Sequence, residues 1–361
     1  MTLTHYLAAG LLAGLVSMLV TPWCIRLAIR LRIIDRPNER KMHRVVKPLL
    51  GGLAIWGTFT VLTLLVLLPP IAAVLVGEAV SPALRQQLLG LLLGGLLMFL
   101  TGLYDDIRGL SVRAKFACQI IAASILFVSG VKVVLFVNVP LISYLFTVLW
   151  VVAITNSFNL LDNMDGLSAG VAAIAAALFA MVFADQQQEF LGLIAMLLAG
   201  SAAGYLRYNF TPARVFMGDA GSLVLGFLMA ALAVMGNYLS VSQLRHLPVI
   251  IPLLILAVPI FDTLSVMAMR AAAGISIFTA DKRHFSHRLV NLGMTVKQAV
   301  LTIYLLTFAV GVTATLLPKL AARDALLVLL HTLMLFAVVV LLERASANRP
   351  DNGANAAPPH K

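Results

Sequence analysis

Oxygen-bearing side chains are concentrated where a long apolar stretch of the chain ends. Residues 156–166 read NSFNLLDNMDG and follow an apolar run of membrane-spanning length. If the run continues as a helix, Asn159, Asp162 and Asp165 lie within an arc of about 120°, because each three-residue step falls about 60° short of a full turn. Lipid satisfies none of these groups, so such a face needs water, a cation or a hydrogen-bonded ligand. The pattern indicates a ligand site, with a solvated polar helix end as the alternative.

Other acidic residues occupy comparable positions. Asp105 and Asp106 are adjacent at the end of another apolar run, and neighbouring carboxylates repel each other unless a cation or a basic group lies near them. Asp219 lies in the sequence FMGDAGS just before an apolar run, where it can cap a helix or where glycines and helix N–H groups admit a phosphate or a metal. Asp262 lies inside an apolar run, so it needs a partner, which Arg270 or a residue of another span can provide.

Basic residues dominate two further polar segments. Residues 35–44 read DRPNERKMHR and residues 281–288 read DKRHFSHR. The two histidines of the second segment could chelate zinc, but no third ligand has a suitable spacing and the neighbouring cations oppose metal binding. Lys, Arg and His all donate hydrogen bonds to phosphate oxygens, so phosphate binding fits both segments better. Topology signalling and a merely solvated basic loop are the alternatives.

Membrane-spanning helices are the elements that must position these residues. The chain has 361 residues, of which 61% are hydrophobic and 11% charged, and apolar runs of about 18 residues or more recur along it. We predict an all-α, polytopic integral membrane bundle, with one membrane domain at 1–344 and a disordered tail at 345–361 that has no apolar face to bury. The eleven predicted spans lie at about 6–26, 49–69, 87–104, 114–130, 140–158, 166–184, 190–207, 220–238, 248–269, 298–317 and 324–343.

The distribution of charge predicts the orientation of this bundle. A net charge of +11 is compatible with nucleic-acid binding, but the 26 Lys and Arg residues lie almost entirely in segments on one side of the predicted membrane. The exceptions are Arg85, Lys132, Arg245, Lys319 and Arg323. This positive-inside pattern places the N-terminus outside and the C-terminus in the cytoplasm, and it needs no nucleic acid. The acidic and basic segments then share the cytoplasmic face. Acidic oxygens suit Mg²⁺ and basic groups suit phosphate, so this combination suits phosphoryl transfer.

The ordered set of motifs resembles the polyprenyl-phosphate N-acetylhexosamine-1-phosphate transferases of the glycosyltransferase 4 type. These membrane enzymes include an undecaprenyl-phosphate N-acetylglucosaminyl-1-phosphate transferase branch, which this chain resembles most, and the phospho-N-acetylmuramoyl-pentapeptide transferases. The segments that carry the resemblance are DRPN at 35–38, RKMH at 40–43, Gly51-Gly52, Asp105-Asp106, NLLD at 159–162, Asp165-Gly166, FMGDAGS at 216–222, Phe261-Asp262 and DKRHFSH at 281–287.

The resemblance implies roles for individual residues. Asn159 and Asp219 are the expected ligands of Mg²⁺, for which Mn²⁺ can substitute, and Asp162 belongs to the same shell. Asp105 and Asp106 lie beside the acceptor phosphate, which is already ionised near pH 7 and needs orientation more than a base. The expected substrate-binding residues are Asp165 for the uridine, Lys41 and His43 for the lipid phosphate, and Arg283, His284, His287 and Arg288 for the pyrophosphate or the sugar.

The same resemblance implies a reaction and its setting. A sugar 1-phosphate passes from a UDP-sugar to undecaprenyl phosphate with release of UMP, in the inner membrane and at its cytoplasmic face. The family's loop usually reads His-x-His-His, whereas Ser286 stands here where a histidine is usual, so UDP-N-acetylglucosamine is only the default donor. One alternative keeps the reaction and takes UDP-muramoyl-pentapeptide as the donor. The other is that the chain is an ion- or proton-coupled transporter. A homodimer and the polysaccharide served, such as O-antigen, teichoic acid, capsule or exopolysaccharide, stay open.

Overall fold

The computed structural model describes residues 1–35, 46–76, 80–133, 139–238, 250–276, 283–320 and 322–347. Helices account for most of these residues, and one short antiparallel pair, β1 (Ile34–Asp35) with β2 (Lys47–Pro48), joins the first two helices. The helices are α1 (Leu3–Leu31), α2 (Gly51–Val66), α3 (Pro69–Val76), α4 (Pro82–Arg108), α5 (Val112–Val128), α6 (Pro140–Leu161), α7 (Leu167–Asp185), α8 (Glu189–Asn209), α9 (Gly218–Met235), α10 (Ile250–Ile255), α11 (Ala257–Ala272), α12 (Phe285–Asn291), α13 (Val296–Ala314) and α14 (Ala322–Ala347).

Eight of the described helices are long and apolar enough to cross a membrane, which confirms the prediction of a mostly helical, multi-pass protein. They are α1, α4, α6, α7, α8, α9, α13 and α14. A ninth candidate is the pair Gly51–Val66 and Pro69–Leu75, which is bent by 88°. The other two predicted spans correspond to shorter helices. α5 has 17 residues, and the chain breaks at Leu256 between α10 and α11. Pro259 favours this break, because it has no N–H to donate within a continuous helix.

Helix α9 lies at the centre of the bundle, because 78% of the residues in its most apolar stretch are buried. The corresponding share is 17% for α14, which lies at the periphery. Small residues allow the close packing around it. A Cβ at Gly94 would lie 2.3 Å from the ring of Phe227, and one at Gly95 would lie 2.5 Å from Trp56. The closely spaced glycines of α4 therefore pack against helices of the same chain.

Two backbone contacts bring the start of α2 against the start of α9. The amides of Gly51 and Gly52 donate to the carbonyls of Phe216 and Met217, each at 3.0 Å. A Cβ at Gly52 would lie 2.4 Å from the amide nitrogen of Gly221, so only glycine permits this approach. The starts of α2 and α9 thus lie at the same end of the bundle as the ends of α4 and α6. We term it the site end.

Candidate active site

The predicted acidic residues meet at the site end. Asp105 and Asp106 lie in the last turn of α4, Asn159 lies in the last turn of α6, and Asp219 lies in the first turn of α9. The motifs are far apart in sequence, but the packing of α9 against both α4 and α6 brings their ends together. The structure therefore gathers three of the four acid-bearing motifs into one cluster.

Lys115 joins this cluster. Its ammonium group lies 2.6 Å from Oδ2 of Asp219 and forms a second ion pair with Oδ2 of Asp105. Sequence reasoning missed this role and treated Lys115 only as a charge that orients the chain. The available signal was the short turn between α4 and α5. Ser111 ends this turn and caps α5 by accepting from the amide of Ala114, which places the start of α5 beside the acidic pair.

Asn159 holds Asp219 from the opposite side. Its side-chain Nδ2 donates to Oδ1 of Asp219 at 3.1 Å and to Oγ of Ser222 at 2.9 Å. The carboxylate of Asp219 is thus contacted through both of its oxygens, by an amide on α6 and an ammonium on α5. It does not cap α9, although sequence reasoning left that role open.

Asp106 caps α9 instead. Its Oδ1 accepts from the amide of Asp219 at 2.9 Å, and its Oδ2 accepts from the amide of Ala220 at 3.1 Å. A carboxylate at a helix N-terminus satisfies amides that have no partner within the helix and interacts favourably with the helix dipole. Gly218 makes the approach possible, since it has φ +70° and a Cβ there would lie 2.4 Å from Oδ2 of Asp106. Asp106 therefore positions Asp219.

Asp162 is the C-cap residue of α6, beside the same cluster. Burial, followed by the nearby charges of Asp219 and Asp106, raises the pKa of the Asp162 carboxyl to about 8. The carboxyl therefore holds its proton at neutral pH unless a cation lies beside it. Carboxylate and amide oxygens are suitable Mg²⁺ ligands.

The described residues contain no group of three or more His, Cys, Asp and Glu side chains arranged to hold a metal by themselves. Mg²⁺ commonly takes one or two protein carboxylates and completes its coordination with water and substrate phosphates. Asn159 and Asp219, with Asp162 alongside, therefore fit a magnesium ion that is shared with a substrate.

The premise that residues 156–166 continue as one helix is wrong. Helix α6 ends at Leu161, and Gly166, with φ +79°, begins a new direction as the N-cap of α7. The chain turns because Asn209 accepts from the amide of Gly166 at 3.0 Å. Asp165 consequently leaves the shared face, and its Oδ2 accepts from the amide of Ala213 at 2.9 Å. The predicted contact of Asp165 with uridine stays a prediction.

Asp262 forms a separate, buried contact with the last basic segment. Its Oδ2 lies 2.9 Å from Nδ1 of His284, and its Oδ1 accepts from the amide of Phe285 at 2.6 Å. Asp262 on α11 thus caps α12 and holds His284. Sequence reasoning expected Arg270 or a residue of another span as the partner of Asp262, whereas these two contacts come from the basic segment between spans.

The other residues of that segment face different neighbours. Arg288 donates from Nε to Oε1 of Glu343 at 3.0 Å and from Nη1 to Oγ of Ser265 at 3.0 Å. Arg283 donates to the carbonyl of Met269 at 3.1 Å, and the ring of His287 lies 6.4 Å from that of His284. Their predicted roles in substrate binding stay predictions. Lys41 and His43, predicted to approach the lipid phosphate, lie outside the described residues.

One hydrogen bond connects this basic segment to the acidic cluster. Ser286 donates from Oγ to Oδ1 of Asn163 at 2.5 Å, and Asn163 directly follows Asp162. Asn163 in turn donates to the carbonyl of Leu160 at the end of α6. Ser286, which departs from the expected His-x-His-His pattern, therefore links the basic segment to the segment that follows Asp162.

The fold and the cluster define a multi-pass membrane protein with carboxylates, an amide and a lysine at one end of its helices. The model of the family described as glycosyl transferase family 4 matches residues 88–237, which include Asp105, Asp106, Lys115, Asn159, Asp162 and Asp219. A relative from Bacillus subtilis (strain 168), named "probable undecaprenyl-phosphate N-acetylglucosaminyl 1-phosphate transferase", is 33% identical over 318 residues, which cover 86% of this chain and 84% of the relative. The chain belongs to glycosyl transferase family 4.

Other relatives have similar names. The decaprenyl-phosphate N-acetylglucosaminephosphotransferase of Mycolicibacterium smegmatis is 33% identical over 323 residues, covering 82% of this chain and 78% of the relative. The undecaprenyl-phosphate alpha-N-acetylglucosaminyl 1-phosphate transferase of Escherichia coli (strain K12) is 27% identical over 311 residues, which cover 80% of this chain and 78% of the relative. The resemblance found in the sequence motifs is confirmed.

Proposed function

We propose that this chain transfers N-acetylglucosamine 1-phosphate from UDP-N-acetylglucosamine to a polyprenyl phosphate and releases UMP. One observation carries the proposal: Asp105, Lys115, Asn159 and Asp219 are in direct contact at one end of a multi-pass bundle. Relatives that cover most of the chain are named for this transfer. Their names favour it over the muramoyl-pentapeptide donor and over ion or proton transport.

The reaction brings two phosphate groups together. An oxygen of the acceptor phosphate bonds to the β-phosphorus of the donor, the bond from that phosphorus to the bridging oxygen breaks, and UMP leaves with the electron pair. Asn159, Asp219 and Asp162 would hold Mg²⁺, which when bound supplies positive charge to the leaving UMP. Lys115 provides a second positive charge, because an ammonium group binds phosphate oxygens as a point charge.

The remaining residues of the cluster position these groups. Asp105 orients Lys115 beside the acceptor phosphate, and Asp106 keeps the start of α9, and with it Asp219, in place. We assign neither carboxylate as a base, since the acceptor phosphate is already ionised at neutral pH. In this scheme Asp165 contacts the uridine, and Lys41 and His43 approach the lipid phosphate. The sugar or pyrophosphate is bound by Arg283, His284, His287 and Arg288.

The setting of the reaction is part of the proposal. The distribution of Lys and Arg supports an orientation with the N-terminus outside, the C-terminus in the cytoplasm and the site end at the cytoplasmic face of the inner membrane. We retain about eleven spans, counting α5, the bent pair α2 and α3, and the broken pair α10 and α11 as one span each. The membrane domain at 1–344, the tail at 345–361 and a homodimer belong to the same proposal, although α14 continues to Ala347, three residues into the predicted tail.

An in vitro assay tests the function directly. Purified protein is incubated with undecaprenyl phosphate and a panel of UDP-sugars, with Mg²⁺, with Mn²⁺ or with a chelator. UMP release and the lipid product are followed by mass spectrometry. Product with UDP-N-acetylglucosamine that disappears on chelation and returns with Mg²⁺ supports the proposal. Product from UDP-muramoyl-pentapeptide alone, or none from any donor in protein with a cooperative thermal transition, contradicts it.

A further inference from the structure

An apolar groove runs along the outside of the bundle between α1 and α2. It has a volume of about 600 Å³, and its walls include Val16, Val20 and Leu27 on α1 and Leu53 and Val61 on α2. At 1.5 Å per residue, the lining residues of α1 span about 20 Å. None of the acidic residues of the candidate active site lines this groove. It is therefore a second concave surface, on a different pair of helices.

One end of the groove carries two guanidinium groups. Arg26 and Arg30 line it, and Arg26 lies over the ring of Trp23 at 5.3 Å. Both arginines are exposed, and within the ranges the structure covers neither forms an ion pair with an acidic side chain. Helix α1 leads through β1 and β2 to the start of α2, so this basic end lies at the site end of the bundle.

The wall formed by α2 contains an unpaired hydroxyl and an open space. Thr58 is 3% exposed and lines the groove, yet its Oγ1 has no hydrogen-bond partner. By the rise of an α-helix it lies about 8 Å deeper than Leu53. Beside it, a Cβ at Gly57 would meet no atom within 4 Å. The groove thus has room along its length, a buried hydrogen-bond donor at mid-depth and positive charge at one end.

We propose that this groove binds an anionic glycerophospholipid of the surrounding membrane. One acyl chain lies between α1 and α2, the phosphate contacts Arg26 and Arg30, and an ester carbonyl accepts from the hydroxyl of Thr58. Guanidinium groups form charge-assisted hydrogen bonds with phosphate oxygens, and a buried hydroxyl is stabilised when it gains an acceptor. Two positive charges favour a head group with a net negative charge over a zwitterionic one.

The length of the groove favours a phospholipid over the polyprenyl acceptor. Its extent of about 20 Å, which includes the arginines at its end, approximates one leaflet of a bilayer that is about 40–45 Å thick with its head-group regions, and an acyl chain of a phospholipid reaches through one leaflet. A polyprenyl chain extends well beyond that length. The proposal does not depend on the transfer reaction, because the groove shares no residue with the candidate active site.

Native mass spectrometry of the full chain tests this site. Detergent-solubilised protein is mixed with equal amounts of phosphatidylglycerol and phosphatidylethanolamine that carry the same acyl chains, and the retained lipid is measured. We expect preferential retention of phosphatidylglycerol. The double variant Arg26→Gln/Arg30→Gln should reduce the affinity for phosphatidylglycerol about 30-fold, since each basic residue near an anionic lipid surface contributes a factor of about five to the affinity. Arg85→Gln, another exposed arginine on a different helix, is the matched control and should leave retention unchanged.

A second variant tests the apolar part of the groove. Gly57→Leu should fill it without displacing protein atoms and should reduce retention of both phospholipids while the thermal unfolding temperature is kept. Retention equal to wild type in Gly57→Leu or in the double arginine variant would overturn the proposal. Displacement of phosphatidylglycerol by one equivalent of undecaprenyl phosphate from wild type, but not from Gly57→Leu, would also overturn it, because the groove would then belong to the acceptor.

Discussion

Two aspartates on neighbouring parts of the bundle show how differently one residue type can be used. Asp262 is 1% exposed, and both of its oxygens contact the α12 segment, one through the amide of Phe285 and the other through His284. The side chain of Asp219 is 28% exposed and contacts Asn159 and the ammonium of Lys115, which is itself 24% exposed. The first arrangement closes a loop onto a helix, whereas the second leaves charged groups accessible to a ligand.

The surroundings of each carboxylate explain the difference. Asp262 satisfies groups of its own protein, so removing it leaves buried partners without an acceptor. Asp219 shares the ammonium of Lys115 with Asp105, and an added cation would relieve the repulsion between these two carboxylates. We therefore expect changes at Asp219 to affect chemistry and changes at Asp262 to affect stability.

The largest effect is expected from Asp219→Asn. This change keeps the shape of the side chain but removes the charge that pairs with Lys115 and that we propose holds Mg²⁺, so turnover should fall at least about a hundredfold, as on loss of an electrostatic transition-state interaction. UMP release from the purified variant measures it. Unchanged turnover in a variant with the thermal unfolding temperature of wild type would remove Asp219 from the site.

Lys115→Met tests the same cluster by removing the positive charge that pairs with Asp105 and Asp219. Hydrogen bonds to charged groups contribute about 1.5–3 kcal/mol, so loss of the ammonium should reduce turnover about ten- to a hundredfold. The variant should also bind Mg²⁺ more tightly, because Asp105 and Asp219 lose their competing cation. Isothermal titration with Mg²⁺ measures the second effect, which a merely structural lysine would not produce. Lys132→Met is a suitable control, since that lysine follows α5 at its far end.

Asp262→Asn should behave in the opposite way. The change disturbs the contacts with His284 and the amide of Phe285, so the variant should lose about 1–3 kcal/mol of stability. A lower thermal unfolding temperature with a loss of turnover well below that of Asp219→Asn is the expected result, because Asp262 acts on the substrate only through His284. If turnover instead fell as far as in Asp219→Asn while the unfolding temperature stayed constant, the division between a structural and a chemical aspartate would be wrong.

The smallest effect is expected from Ser286→Ala. It removes the hydrogen bond to Asn163, and a neutral hydrogen bond contributes about 1 kcal/mol, so KM for the UDP-sugar should rise about fivefold. KM for the lipid acceptor should stay the same, because the bond joins the basic segment to the acidic cluster. Steady-state kinetics with each substrate varied in turn separates the two. A change confined to the acceptor would mean that residues 283–288 face the lipid substrate.

Local pattern was sufficient to predict a mostly helical, multi-pass protein and the helix ends that carry the acidic residues. An apolar run as long as 140–161 is typical of a membrane-spanning helix, which satisfies all of its backbone groups within one segment, and a polar group at the end of such a run is costly without a ligand. The resemblance of Asp105-Asp106, NLLD and FMGDAGS to one family rested on the same local information. Bacterial relatives that cover most of the chain confirm it.

The pairings depended on contacts between residues distant in sequence. Nothing near Asp106 indicates that it caps α9, which lies 113 residues away, and nothing near Lys115 indicates a contact with Asp219, 104 residues away. Helix periodicity also placed Asp165 on the face of Asn159, whereas Asn209 on α8 accepts from Gly166 and turns the chain after α6. The amino-acid sequence by itself thus determined which residues lie at helix ends and could carry charge chemistry. Tertiary packing alone decided which of them meet, because hydrogen bonds and ion pairs depend on distances that only the assembled helices establish.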